Sequence, residues 1–499
     1  MSDLGPSSHA SAPEPREPTS TNARTPRQRR ALRVVIAAIV VLGLVAGTGA
    51  FFLRSDDATS YPDQWDARIK PYVDIVEEER GLTFKHPVKV RFLDKDAFEK
   101  TVRTDKKDLD KDEREDIRET ESLFRAFGLI SGDVDLFDAF NDASGSGTLA
   151  YYSFDNRSIT VRGTKLALAS RATLVHELTH ALQDQRFDIA DRLKKLGKRA
   201  EDGAPTTEPD ALRAIVEGDA ERVANLYRMS LTKKKRKAMQ KAEAADSGDS
   251  LEEMKGIPKV VLTLLGAPYA LGQAVTEAVA AQDADDVDGL FENPPPDDSV
   301  LLDPLKALGD MGDAVDVKIP TVGSGEKKFD SGQVGALVTY LILAERIPLK
   351  EALTATDTWT GDAYLGFKRD DVVCARVSYA TESGSAALLT TAFEDWIDAA
   401  PGSTATVERS GNQVIFESCD PGKDAELTND ASTKALELVA TRGYVGAGII
   451  QAGAPAPVAR CFARRMIEEY SVADLTDPRF GADDPEFAKR IQGFAADCR

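Results

Sequence analysis

The sequence predicts an α+β fold: a mainly helical domain with a small sheet or hairpin, then a second α+β domain. Three observations predict it. Long segments place apolar residues at helical spacing, as Leu174, Leu178 and Leu182 do. Two short stretches, "VKVRFL" (Val88 to Leu93) and "TLAYYSFDNRSITVRG", have the character of strands. Beyond about residue 320 the character changes, and "VVCARVSYA" and "QVIFESC" read as strands around the helical "AALLTTAFEDWIDAA".

Residues 1–30 are rich in Pro, Ser, Thr and Arg and poor in large apolar groups. Too little surface is available there to offset ordering entropy, which predicts a disordered tail. Val34 to Leu53 is an uncharged run of twenty residues between Arg33 and Arg54. A helix of that length crosses a ~30 Å hydrocarbon layer, so residues 31–54 are expected to be a transmembrane signal anchor. Arg24, Arg27, Arg29, Arg30 and Arg33 precede the run, and Asp56 and Asp57 follow it. Positive residues stay in the cytoplasm, which predicts a single-pass protein of the cell membrane with residues 55–499 outside. A cleaved signal peptide, with "TGA" (Thr48 to Ala50) at the cleavage site, is the competing reading.

Residues 60–310 read as one domain and 320–499 as a second. "YPDQWDARIKPYVDIVEEERG" has helical spacing, residues 94–107 look helical, and "EREDIRETESLFRAFGLI" is a further amphipathic helix stopped by Ser131 and Gly132. The hairpin is expected to turn at Asp155 and Asn156, which tolerate left-handed geometry. From Ala167 to Leu196 there is neither Gly nor Pro. The polar "KRAEDGAPTTEPD" then separates that helix from "ALRAIVEGDAERVANLYRMSL", a second helix. "KKKRK" (Lys233 to Lys237) reads as a solvated helix end, "PYALGQAVTEAVAAQ" as another helix, and "ENPPPDDSVLLDP" as a stiff irregular loop. Residues 432–497 look helical.

The net charge of −20 argues against a nucleic-acid partner. Four cysteines, Cys374, Cys419, Cys461 and Cys498, lie in the last quarter of the chain without metal-type spacing. An even number in an exterior segment predicts two disulfides. Three pairings are open, of which the sequential Cys374–Cys419 and Cys461–Cys498 are preferred.

Only four histidines occur, and two of them sit in "RATLVHELTHALQDQ". On a helix, His176 and His180 lie one turn apart on the same face, at a separation that suits two ligands on one Zn²⁺. Glu177 flanks that spot and is placed to take a proton from water. This is the H-E-x-x-H pattern. The surrounding face is apolar, and burying two histidines without partners is costly. No cysteine is near, which favours a three-ligand site of the catalytic type. No third histidine follows six residues on: Arg186 stands there, and Gln183 takes the place of the Gly that such an extension carries. Glu217 is the preferred third ligand, with His86, Asp184 and Asp188 as alternatives. Glu217 and Glu221 are i, i+4 on one helix, so one can bind the metal while the other accepts a hydrogen bond from a ligating histidine. Gly218 between them would let a neighbouring element approach closely.

"HELTHALQDQ" followed by "ALRAIVEGDAERV" resembles the gluzincin metallopeptidases, specifically peptidase MA-like exported proteins. "PYALGQAV", "PPPDDSVLLDP" and "WTGDAY" also look like this group, so the resemblance covers about residues 60–370. It implies a zincin-like fold, His176, His180 and Glu217 as zinc ligands, and Glu177 as the catalytic base. Glu221 matches an outer carboxylate that is more often Asp. Tyr269 is the implied oxyanion donor, with Tyr151 and Tyr152 as lesser candidates. The span of 36 residues between His180 and Glu217 exceeds that of many gluzincins, and the polar loop at 197–209 is expected to absorb it. The expected activity is hydrolysis of a peptide or protein substrate, with strand addition at Leu149 to Ser153 holding the peptide. The competing expectation is a zinc-stabilised exterior binding or scaffold protein that cleaves nothing. A surface-adhesion or envelope-stress role rests on the anchor alone.

Overall fold

The computed structural model describes residues 61–499 except Pro401, Ser403, Leu427, Pro478, Ala482, Asp483 and Arg499. It is an α+β protein, mostly helical with two small sheets. The expected single-pass membrane placement is corrected here. The run Val34 to Leu53, like the expected tail at 1–30, lies outside the described residues, and among those residues no helix is long and apolar enough to cross a membrane.

The first half opens with α1 (Lys70–Arg80), β1 (Lys89–Leu93), α2 (Lys95–Val102), α3 (Lys111–Ala126) and α4 (Leu136–Gly147). Asp110 and Glu113 form a reciprocal capping box that starts α3. The hairpin β2 (Ala150–Ser153) and β3 (Ser158–Arg162) follows. Its left-handed residue is Arg157 (φ 51°), not Asp155 or Asn156. β3 lies in the middle of the sheet, parallel to β1 and antiparallel to β2, so β2 is an edge strand.

Next come α5 (Ser170–Phe187) and α6 (Ile189–Glu201). They are two helices because Asp188 adopts a left-handed conformation (φ 54°) between them. The long span between His180 and Glu217 is therefore taken up mainly by a helix, not by a loop. α7 (Glu208–Ser230) carries Pro209 in its first turn, where a missing N–H costs nothing. α8 (Lys233–Glu253) begins at the basic run, so those charges lie at a helix start; Arg236 donates to the Met229 and Leu231 carbonyls that end α7. α9 (Lys259–Gln282) is followed by the short α10 (Val287–Glu292) and α11 (Ser299–Leu302). The proline-rich stretch is thus irregular only up to Asp298.

The second half holds β4 (Lys327–Gly332), α12 (Ala336–Ala344), α13 (Leu349–Thr356), β5 (Trp359–Arg369), β6 (Val372–Thr381), α14 (Ala386–Asp398), β7 (Thr406–Ser410) and β8 (Gln413–Cys419). These strands form an antiparallel sheet in the order β4-β5-β6-β8-β7. The helices α15 (Ser432–Gln451), α16 (Ala456–Glu469), α17 (Val472–Thr476) and α18 (Pro485–Asp497) close the chain. Both disulfides are the sequential pairs: Cys374–Cys419 joins directly opposed positions of β6 and β8, and Cys461–Cys498 ties α16 to the end of α18.

One apolar core gathers Leu174, Leu178 and Leu182 of α5 with Ile69, Val73, Tyr152 and Val161. A larger one takes Leu212 of α7, Leu271 of α9, Phe393 and Trp396 of α14, Phe416 of β8 and Ile467 of α16. α5 is therefore buried along almost its whole length, between α1, the hairpin and α7.

α7 and α9 touch backbone to backbone. A Cβ on Gly218 would lie 2.0 Å from the Gly272 carbonyl carbon, and one on Gly272 would lie 1.8 Å from the Ala214 oxygen. The close neighbour that Gly218 admits is thus the glycine of "PYALGQAV". Overpacking in a tight core typically costs about 1–3 kcal/mol. Gly272→Ala, which meets backbone and not a yielding side chain, is expected at or above the top of that range. Chemical denaturation of the variant beside the wild type measures it.

Candidate metal centre

α5 presents His176 and His180 on one face, and α7 brings Glu217 to meet them. The separations are 3.0 Å from His176 Nε2 to Glu217 Oε2, 3.2 Å from His180 Nε2 to Glu217 Oε1, and 3.0 Å between the two Nε2 atoms. All three side chains are buried, and they form the one cluster of its kind among the described residues whose ligand atoms can hold a metal ion.

The outer ring nitrogens have partners of their own. His180 Nδ1 faces Gln183 Oε1 at 3.1 Å, and His176 Nδ1 faces Glu221 Oε2 at 3.6 Å. Both partners are acceptors, so in the neutral rings each Nδ1 carries the proton and each Nε2 is free to turn a lone pair on a bound cation. Two lone pairs and a carboxylate then point at one spot. That donor set fits a metal cation and would repel itself without positive charge.

Without a cation in place, protons on the imidazoles balance the carboxylate. Burial alone would raise the Glu217 carboxyl, but the charge of His180 and hydrogen bonds with both histidines hold it down at about 2. Burial opposes charge on His176, yet its hydrogen bonds with Glu217 and Glu221 push its pKa well above the ordinary value. Glu177 moves the other way: burial raises its pKa despite the nearby histidines.

Glu177 Oε2 accepts the backbone N–H of Tyr152 at 2.7 Å, from the outer edge of β2. The Tyr152 hydroxyl donates to Asp184 at 2.8 Å, and Asp184 also accepts from the Ala190 N–H and pairs with Arg157 at 3.3 Å. Asp184 is thus committed elsewhere. Asp188 ends α5, and the His86 ring lies against the Tyr61 ring and the Pro87 carbonyl. None of these three joins the cluster.

Glu221 does sit behind His176, with Arg228 on its other oxygen at 3.0 Å. The Tyr269 ring stacks on the His176 ring at 5.7 Å, and its hydroxyl interacts with Glu217. Burial, then the surrounding carboxylates, keeps that phenol well above its usual pKa and therefore protonated. Tyr151 packs on Phe98, away from the cluster. Sequence reasoning missed Asp219, which is fully buried and accepts from Gln183 Nε2 at 2.8 Å. The available signal was its place two residues after Glu217, in a helix whose neighbouring Ala214, Ile215, Val216, Ala220 and Val223 are apolar.

Removing a ligand should abolish the metal uptake that this donor set permits. Glu217→Ala is expected to take up far less metal than the wild type on titration with a divalent cation, read by elemental analysis after dialysis. Unchanged content would remove Glu217 from the ligand set.

No family model, curated protein or solved structure matches this chain.

Proposed function

We propose that this protein is a zinc-dependent metallopeptidase of the gluzincin type, with a zincin-like arrangement of α5 and α7. One observation carries the reading: two imidazoles and a carboxylate from separate helices converge, and Glu177 stands beside them. His176, His180 and Glu217 would hold the zinc. Ligand atoms ~2.0–2.2 Å from a tetrahedral ion lie roughly 3.3–3.5 Å apart, near the separations above. When bound, zinc supplies Lewis acidity at the scissile carbonyl and acidifies water.

The protein's own groups do the rest. Glu177 takes a proton from the attacking water and passes it to the leaving amine. Its raised pKa suits a group that must both accept and return a proton. Tyr269, protonated and beside Glu217, donates to the oxygen that gains charge. The outer edge of β2, which already offers Tyr152 N–H toward Glu177, aligns an extended peptide as an added strand.

Glu177→Gln keeps the size of the side chain and removes the base. It is expected to retain zinc and lose about 10²–10⁴-fold in turnover of a peptide substrate. Tyr269→Phe should lose about 10²-fold in kcat. Full activity in Glu177→Gln with zinc bound would end this mechanism. A second reading, a zinc-stabilised exterior binding or scaffold protein, is favoured by the low exposure of the ligands, 3–5% for His176, His180 and Glu217. Under that reading chelation lowers the unfolding temperature and the wild type cleaves nothing across a diverse peptide library.

A further inference from the structure

The geometry points to Gln183, Asp219 and Arg80 as a positioning relay that fixes the tautomer of His180. The inference rests on the metal centre proposed above and adds residues from outside it.

The Gln183 side chain is 1% exposed, and its amide reaches three groups. Its Nε2 lies 3.0 Å from the Val216 carbonyl and 2.8 Å from Asp219 Oδ2. A backbone carbonyl has no proton to give, so the NH2 end must face Val216 and, with it, Asp219. The oxygen end is then the only part left for His180. An oxygen facing Nδ1 requires that Nδ1 carry the proton. In the neutral ring the lone pair is then on His180 Nε2, which is the form a metal ligand needs. The orientation of one amide thus sets which nitrogen of a ligand is free.

What holds the amide is a buried charge pair. Asp219 has no exposed surface, and Arg80 Nε lies 3.0 Å from its Oδ2. The other arm of Arg80 pairs with Asp288 on α10. The Arg80 side chain is only 3% exposed, so neither charge has water to fall back on. The guanidinium holds Asp219 Oδ2 at the NH2 end of the amide, and the Val216 carbonyl on the same nitrogen keeps the amide from turning around. The relay runs from α10 through α1 and α7 to α5. It explains why α1, far from the cluster in sequence, ends in a buried arginine.

A residue that only filled space would not set metal affinity. The measurement is therefore the zinc dissociation constant, by competition with a chromophoric chelator, alongside the unfolding midpoint. Losing an outer partner of a ligating histidine typically weakens metal binding about 10–100-fold. Gln183→Leu is expected to do so. Gln183→Glu sets a new carboxylate against Asp219 and should weaken zinc by a similar factor. Adding Asp219→Asn turns that clash into a donor–acceptor pair and should recover most of the loss, to within about threefold of wild type. This rescue holds even if Gln183→Leu fails to fold. Zinc affinity within about threefold of wild type in folded Gln183→Leu or Gln183→Glu overturns the relay, as does a double variant no better than Gln183→Glu. A wild type that takes up no zinc overturns the metal centre itself, a different failure from a relay that does not matter.

Discussion

Three buried electron-pair donors that face one another need positive charge between them, and much of this fold serves to keep them face to face. The imidazoles come from one helix and their distance is set by its pitch. The carboxylate comes from another helix and its approach is set by packing. α7 is held in place from behind by α9, at a contact so close that only glycine fits on either side. From the other flank, α1 sends Arg80 into the space between α5 and α7. The apolar cluster around Leu174, Leu178 and Val223 closes the remaining sides and keeps water from screening the charges.

Much of the centre was legible in the sequence because its parts are local. His176 and His180, or Glu217 and Glu221, share a face by virtue of spacing alone. Gly218 carried a packing signal because glycine inside a helix is otherwise unfavourable. The sequential disulfides were legible as a preference, since they close the shorter loops. The hairpin and most helices follow from periodicity and capping, as at Asp110 and Glu113.

The rest was hidden because it depends on distant contacts. Gln183 looked like a failed position of another motif; its meaning appears only when Asp219 and the Val216 carbonyl lie against it. Arg80 and Asp219 are 139 positions apart and meet through helix packing. The break at Asp188 has no Gly or Pro to announce it, and a left-handed aspartate is a minority conformation. The parallel pairing of β1 with β3 spans three helices and one strand, a topology that alternation within either strand does not encode.

The protein contains its own controls for what a buried structural carboxylate looks like. Glu345, with no exposed surface, accepts from five donors: Thr428 Oγ1, Ser432 Oγ and the backbone N–H groups of Asn429, Ala431 and Ser432. Asp298 accepts from Thr207 Oγ1 and the N–H groups of Ala336 and Leu337. Asp362 accepts from the Val334 and Gly335 N–H groups and the Trp359 indole. In each, both oxygens are engaged, which is how a fold settles a charge it must bury. Glu177 is 7% exposed and, among the described residues, has a single donor, Tyr152 N–H, on one oxygen. A carboxylate kept for stability would be expected to resemble Glu345. Glu177 instead keeps an oxygen uncommitted beside two imidazoles, the arrangement that the proposed proton carrier requires.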